Sequence, residues 1–195
     1  MVHIDEVRAQ VTAGYARLGL PSWPDPHSGM MSPGTEEYSR ATSPERYRVV
    51  EARASAWADA LGACPGVEVE PMALDALGGA GPGDVTSGLR LRSTRPHTLP
   101  LLLLIRQVPP DGAAGPLVVL RICADGASVV LAGVPECGCD ACDSGVGNLL
   151  KPSTTPSAVS SVARRSCCEG RVGMRIGVLM VGARVGMVTV PITTR

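Results

Sequence analysis

The chain has 195 residues, enough for one domain, and its 45% hydrophobic against 18% charged residues exclude an intrinsically disordered chain. Aromatic residues total 3% and Phe is absent, so Leu, Val, Ile, Met and Ala have to fill the core. The formal net charge of zero is a balance between two unequal parts. Of 18 basic and 18 acidic groups, residues 151–195 hold seven and one, which leaves 11 and 17 for residues 1–150. An acidic body repels phosphate backbones, and the basic groups beyond it are scattered among Gly, Val and Met, so nucleic acid is not an expected partner.

Met1-Val2-His3-Ile4-Asp5-Glu6 has neither the basic nor the apolar stretch of a secretory signal. Ile4, Val7, Val11, Tyr15 and Leu18 recur at helical spacing, with Gly19 as a stop, which predicts an amphipathic helix. Pro21-Ser22-Trp23-Pro24-Asp25-Pro26-His27-Ser28-Gly29 is too rich in proline for regular structure. Trp23 is expected to clamp on the first helix; the competing reading makes Asp25, His27, Glu36, Glu37 and Tyr38 the rim of a polar pocket. Ser43-Pro44-Glu45-Arg46 is a helix start, with Ser43 as N-cap, and Tyr47, Val50, Ala54, Trp57 and Leu61 follow on one face to about Ala63.

From Val67 the period changes. Val67–Glu70 and Leu89–Arg92 alternate as strands do, and Leu101–Val108 and Leu117–Cys123 are apolar runs separated by the turn Pro109-Pro110-Asp111-Gly112. Gly78–Gly83 is a loop and lacks the Gly-Lys-Ser/Thr ending of a phosphate loop. Asp125-Gly126 predicts a hairpin turn into Ser128–Ala132. Two helices followed by consecutive strands on short turns imply an α+β fold with a mainly antiparallel sheet. The domain is expected over residues 1–150, with 151–195 as an atypical basic tail.

No stretch suits a membrane span. Leu99–Ile105 is too short, and residues 172–192 are interrupted by Arg175, Arg184 and several glycines. The expected compartment is the reducing cytoplasm, where clustered cysteines bind metal or act as thiols more often than they form structural disulfides.

The motif that carries chemistry is Cys137-Gly138-Cys139-Asp140-Ala141-Cys142, just after the last expected strand. Cys139 and Cys142 have the spacing at which two sulfurs face one metal, and Gly138 permits a tight turn that brings Cys137 round. Cys137, Cys139 and Cys142 are therefore candidate zinc ligands. No second pair follows, and the fourth donor is open among Cys64, Cys123, His97, Asp140 and water. Two other readings stand beside this one: a bend whose small residues only pack, and a redox or enzymatic site acting through Cys139 and Cys142. Against the latter, Asp140 and Asp143 are expected to raise thiol pKa values. Cys167-Cys168 are adjacent and do not chelate one ion easily. No nucleophile elbow, catalytic triad or carboxylate pair emerges, so no catalytic residue is assigned.

Pro21–His27, then Glu36-Glu37-Tyr38-Ser39-Arg40, Pro44-Glu45-Arg46-Tyr47 and Cys137–Asp143, in this order, resemble an actinobacterial family, domain-of-unknown-function family 6226. The resemblance covers about residues 10–150. It implies a small cytoplasmic protein and transfers no activity. It also implies an acidic amphipathic helix after the cysteine motif, of the Leu-Leu-Glu-x-Leu-Asp kind, where this chain has Leu149-Leu150 and an almost acid-free tail. A shifted reading frame accounts for the departure. With G or C in the third place of each codon from Lys151 to Gly170, a step back of one base permits an acidic, helically spaced reading. A chain with the present tail then lacks the helix that covers one face of the sheet, and exposed apolar strands are expected.

Overall fold

The computed structural model describes residues 3–29, 32–73, 85–109 and 115–151. The Gly78–Gly83 loop, Pro110–Gly112 of the expected turn, Cys167-Cys168, the apolar stretch 172–192 and the frame of the tail beyond Lys151 lie outside them.

Helix α1 spans Ile4–Ala16. Its start is closed by His3, which accepts from the Asp5 N–H through Nδ1 at 3.4 Å while Glu6 accepts from the His3 N–H at 3.3 Å. This reciprocal pairing satisfies donors that the first helical turn leaves free. Val7 and Val11 are buried and Ile4 and Tyr15 partly so, but Leu18 is 53% exposed. Leu18 falls beyond the last helical turn, so the expected face stops at Tyr15. Gly19 takes a φ of +57°, and the chain leaves the helix there.

Two short 3-10 turns follow, Thr35–Ser39 and Pro44–Arg48, and the second runs directly into α2, Val49–Gly62. Ser43 does not cap through its side chain. Pro44 opens the turn instead, with a ring that presets φ and no N–H to leave unpaired. The expected face is nevertheless the buried one: Tyr47, Val50, Ala54, Trp57 and Leu61 all lie inside.

Five strands, β1 (Val67–Pro71), β2 (Val85–Ser93), β3 (Leu101–Val108), β4 (Leu117–Ala124) and β5 (Val130–Val134), pair antiparallel in their sequence order. The fold is α+β. Asp125 takes the positive φ of +62° that its hairpin position requires. The long apolar run of β3 has a simple cause. Leu101, Leu103 and Ile105 pack with Leu91, Val118, Leu120 and Ile122 in the core shared with α1 and α2. Leu102 and Leu104, on the opposite face, are buried with Val85 and Cys123. Both faces of the strand are inside, and alternation therefore disappears from the sequence. The apolar face expected to be exposed is thus not exposed at Leu102 and Leu104, which are 2% and 0% accessible.

The peptide bond Val134–Pro135 is cis, and beyond it come the cysteine bend, a 3-10 turn at Asp140–Cys142 and a short helix α3, Gly145–Leu149. Among the described residues, no helix is long and apolar enough to cross a membrane.

Candidate metal centre

The bend begins where β5 ends. The Sγ atoms of Cys137, Cys139 and Cys142 all lie within 4.8 Å of one another, and those of Cys137 and Cys139 are 3.2 Å apart. Zinc–sulfur bonds of about 2.3 Å at tetrahedral angles place neighbouring sulfurs roughly 3.8 Å apart. The observed triangle is therefore within small side-chain adjustments of one ion. Cys137 and Cys142 are exposed and Cys139 is half-buried, so an ion has access. Among the described residues this is the one group of three or more His, Cys, Asp or Glu side chains with metal-ligand proximity.

Gly138 contributes in a different way from the one its position in the motif implies. Its φ is not positive; what a side chain there meets is the body of Leu117. Glycine lets the bend lie flat on β4. The conformational freedom of glycine is used at Gly145 instead, where φ is +78° and a Cβ would sit 2.5 Å from the Asp25 backbone nitrogen.

That close approach is part of a polar latch between the bend and residues 23–47. Trp23 donates from Nε1 to Asp143 Oδ1 at 3.0 Å, and the Val146 N–H donates to the Trp23 carbonyl at 3.2 Å. Arg46 reaches Asp143 Oδ2 at 2.7 Å, and its guanidinium lies over the rings of Trp23 and Tyr47 at 5.2 and 5.3 Å. Trp23 is therefore a clamp, and what it grips is the cysteine segment and Arg46. The polar reading of the same loop holds in part: His27 Nε2 lies 2.9 Å from Glu37 Oε2, and Nδ1 lies 3.4 Å from the Asp143 carbonyl. Asp140 is tied as well. It accepts from the Thr42 N–H and from Arg40 Nε, each at 2.8 Å, and from the Thr42 hydroxyl, while its own N–H donates to the Arg40 carbonyl at 2.7 Å.

The electrostatics follow from these neighbours. Asp140 pairs with Arg40 and Asp143 with Arg46, so the charges of the carboxylates that flank the thiols are offset by neighbouring guanidinium groups. Burial pushes the Asp140 carboxyl up, but hydrogen bonds from Thr42 and Arg40 outweigh it and hold the pKa below the ordinary value. Two of the thiols are shifted in opposite directions. The Cys139 backbone N–H lowers the Cys137 pKa, whereas Cys142, hydrogen-bonded to Cys139, partly desolvated and beside Cys137, is pushed up to about 12. Negative charge on Cys137 opposes ionisation of Cys142. A cation seated among the sulfurs would favour their thiolate forms.

The fourth donor is not among the protein groups considered for it, since Cys64, Cys123, His97 and Asp140 all stand outside the sulfur group. The Cys64 thiol donates to the Ala60 carbonyl at 3.4 Å. Cys123 is sealed inside the sheet, where burial raises its pKa to about 11. His97 occupies the connection between β2 and β3, with a φ of 61°. Asp140 is engaged through both oxygens by Thr42 and Arg40. Sequence reasoning missed the latch roles of Thr42, Arg46 and Asp143, because they are carried by contacts between residues about a hundred positions apart. A faint signal was present in the way charged and aromatic residues cluster at Trp23–His27, Glu36–Arg40 and Pro44–Tyr47 without helical or strand periodicity.

No curated protein and no solved structure matches this chain. The latch joins the four stretches on which the resemblance rests, and it is these stretches that a single family pattern spans. Residues 11–163 match the Family of unknown function (DUF6226), and the chain belongs to that family.

Proposed function

We propose that the protein is a small binding or interaction module whose cysteine bend holds a structural zinc ion through Cys137, Cys139 and Cys142. The observation that carries this reading is the approach of three sulfurs to within 4.8 Å on one short bend. Water completes the coordination. The module acts in the reducing cytoplasm as one domain over residues 1–150, with 151–195 as an appended tail. The family's actinobacterial range and a shifted frame for the tail belong to the same reading. The match continues to Ala163, past the expected frame change at Lys151, so the gene's nucleotide sequence is the direct test of that part.

Metal content of protein purified under reducing conditions tests the main claim. About one zinc per chain is expected, lost on Cys142→Ser. A second reading, a thiol redox site, is favoured by the lowered pKa of Cys137 and its 3.2 Å approach to Cys139. That chemistry centres on Cys137 and Cys139 rather than on Cys142, whose thiol resists ionisation. No metal with a fast-reacting thiol supports the redox site; no metal with inert thiols leaves a packed bend.

A further inference from the structure

The cysteine bend has two chemically distinct sides. Its sulfurs gather on one, while Asp140, between two of those cysteines in sequence, turns its carboxylate to the other. Carboxylates are common zinc ligands, yet this one accepts two hydrogen bonds from Thr42 and a charged one from Arg40. Its backbone N–H closes a fourth link to the Arg40 carbonyl. Asp140 also begins the short 3-10 turn Asp140–Cys142, which sets the relative positions of Cys139 and Cys142. A three-residue, partly exposed turn of this kind has little to hold it in one geometry by itself. Here the hold comes from a segment 98–100 positions earlier in the chain.

We propose that Asp140 is a positioning residue of the thiol centre, and that through it metal binding at the three sulfurs is coupled to the docking of residues 40–47. The proposal rests on the metal-binding reading above. Its physical basis is that the same turn is constrained from both sides: an ion fixes the sulfurs, and Thr42 and Arg40 fix the carboxylate. Whatever holds the turn from one side lowers the cost of holding it from the other, and by linkage the effect is reciprocal. Arg40 serves a second purpose. Its guanidinium cancels the charge of a carboxylate that otherwise lies beside a cluster of thiolates. Asp143 provides the parallel tie, through Trp23 and Arg46, at the far end of the turn.

The full chain is the material for the test. Zn(II) affinity is measured by competition with a chromophoric chelator, and Cd(II) binding by the thiolate-to-metal absorption band. Variants are Asp140→Ala, Asp140→Glu, the double change Thr42→Val with Arg40→Ala, and Cys142→Ser as the ligand control. Amide exchange of residues 40–47 is followed with and without Zn(II). Wild type is expected to bind Zn(II) and to protect residues 40–47 on binding it. Asp140→Ala and the double variant are expected to bind Zn(II) about 10–100-fold more weakly. Both should keep the Cd(II) band, because the three sulfurs remain, and should lose the metal-induced protection. Asp140→Glu is expected to recover part of the affinity. If Asp140→Ala does not fold, the double variant, which leaves the bend's own sequence intact, decides. Wild-type affinity in the variants, with no metal effect on residues 40–47, overturns the positioning role while the metal reading stands. Failure of wild type itself to take up Zn(II) or Cd(II) overturns both.

Discussion

The β3–β4 centre of the sheet and the latch around the cysteine bend are held by different balances of apolar and polar contact. The first is an antiparallel pair running from Leu101↔Ala124 to Val108↔Leu117, buried on both faces of β3 from Leu101 to Ile105. Its partners are neighbours in the chain, and its stability is removal of apolar surface from water. The second also buries Tyr47, Val146 and part of Trp23, but it adds contacts of another kind. It joins residues 23–47 to residues 139–146 by directed polar contacts: indole to carboxylate, guanidinium to carboxylate, hydroxyl to carboxylate. A region of the first kind tolerates exchange among apolar residues of similar size. A region of the second kind depends on individual atoms, and removing one partner strands another.

Substitutions can break this comparison, and the largest effect belongs to the sheet. Leu103→Ala is expected to cost about 2–5 kcal/mol in chemical denaturation, and Leu103→Met under about 1.5 kcal/mol. An equal loss from both would show that the centre is as exacting as the latch. In the latch, Asp143→Ala removes the partner of Arg46, of the Trp23 indole and of the Gly145 N–H together. A loss of about 2–4 kcal/mol is expected, placed below a fully buried pair because Arg46 keeps 23% of its surface in water. Gly145→Ala places a Cβ against the backbone of Pro24 and Asp25 at a positive φ, and about 2–3 kcal/mol of stability should be lost. A neutral result there would mean that the two segments are free to separate.

The smallest effect is one of pH. The hydrogen bond to Glu37 raises the His27 pKa, and the same bond lowers that of Glu37. Both ring nitrogens of His27 face acceptors, the Glu37 carboxylate and the Asp143 carbonyl, so only the imidazolium can donate to both. A raised histidine pKa stabilises the fold below the unfolded value of about 6.5 and loses that effect as pH rises through the folded value. A lowered Glu37 pKa acts the other way, with its contribution lost as pH falls through the folded value. The pair is therefore strongest from about pH 4.5 to about pH 6.5. Thermal unfolding of wild type and His27→Gln should differ most within that range and converge as pH rises through the folded His27 value. Parallel curves would remove His27 from the latch.

Much of the architecture could be read without coordinates, and for a local reason. Val67–Glu70, Leu101–Val108 and Leu117–Cys123 announce strands through alternation or unbroken apolar runs, and Asp125-Gly126 announces its turn, because each signal resides in adjacent residues. The buried face of α2 follows from spacing alone. Ser43 and Leu18 misled at the edges. A capping residue still needs the right ψ, and a helical period does not say where the helix stops.

The cysteine motif, by itself, determined which atoms are candidates for a metal and that two of them share a spacing suited to one ion. Only the folded chain decided that the third sulfur joins them, that Asp140 faces away, and that Arg40 and Arg46 cancel the neighbouring carboxylate charge. Spacing along a bend constrains sulfurs a few residues apart. The partners of Asp140 and Asp143 come from the other end of the domain, and their approach depends on how the helices and the sheet pack.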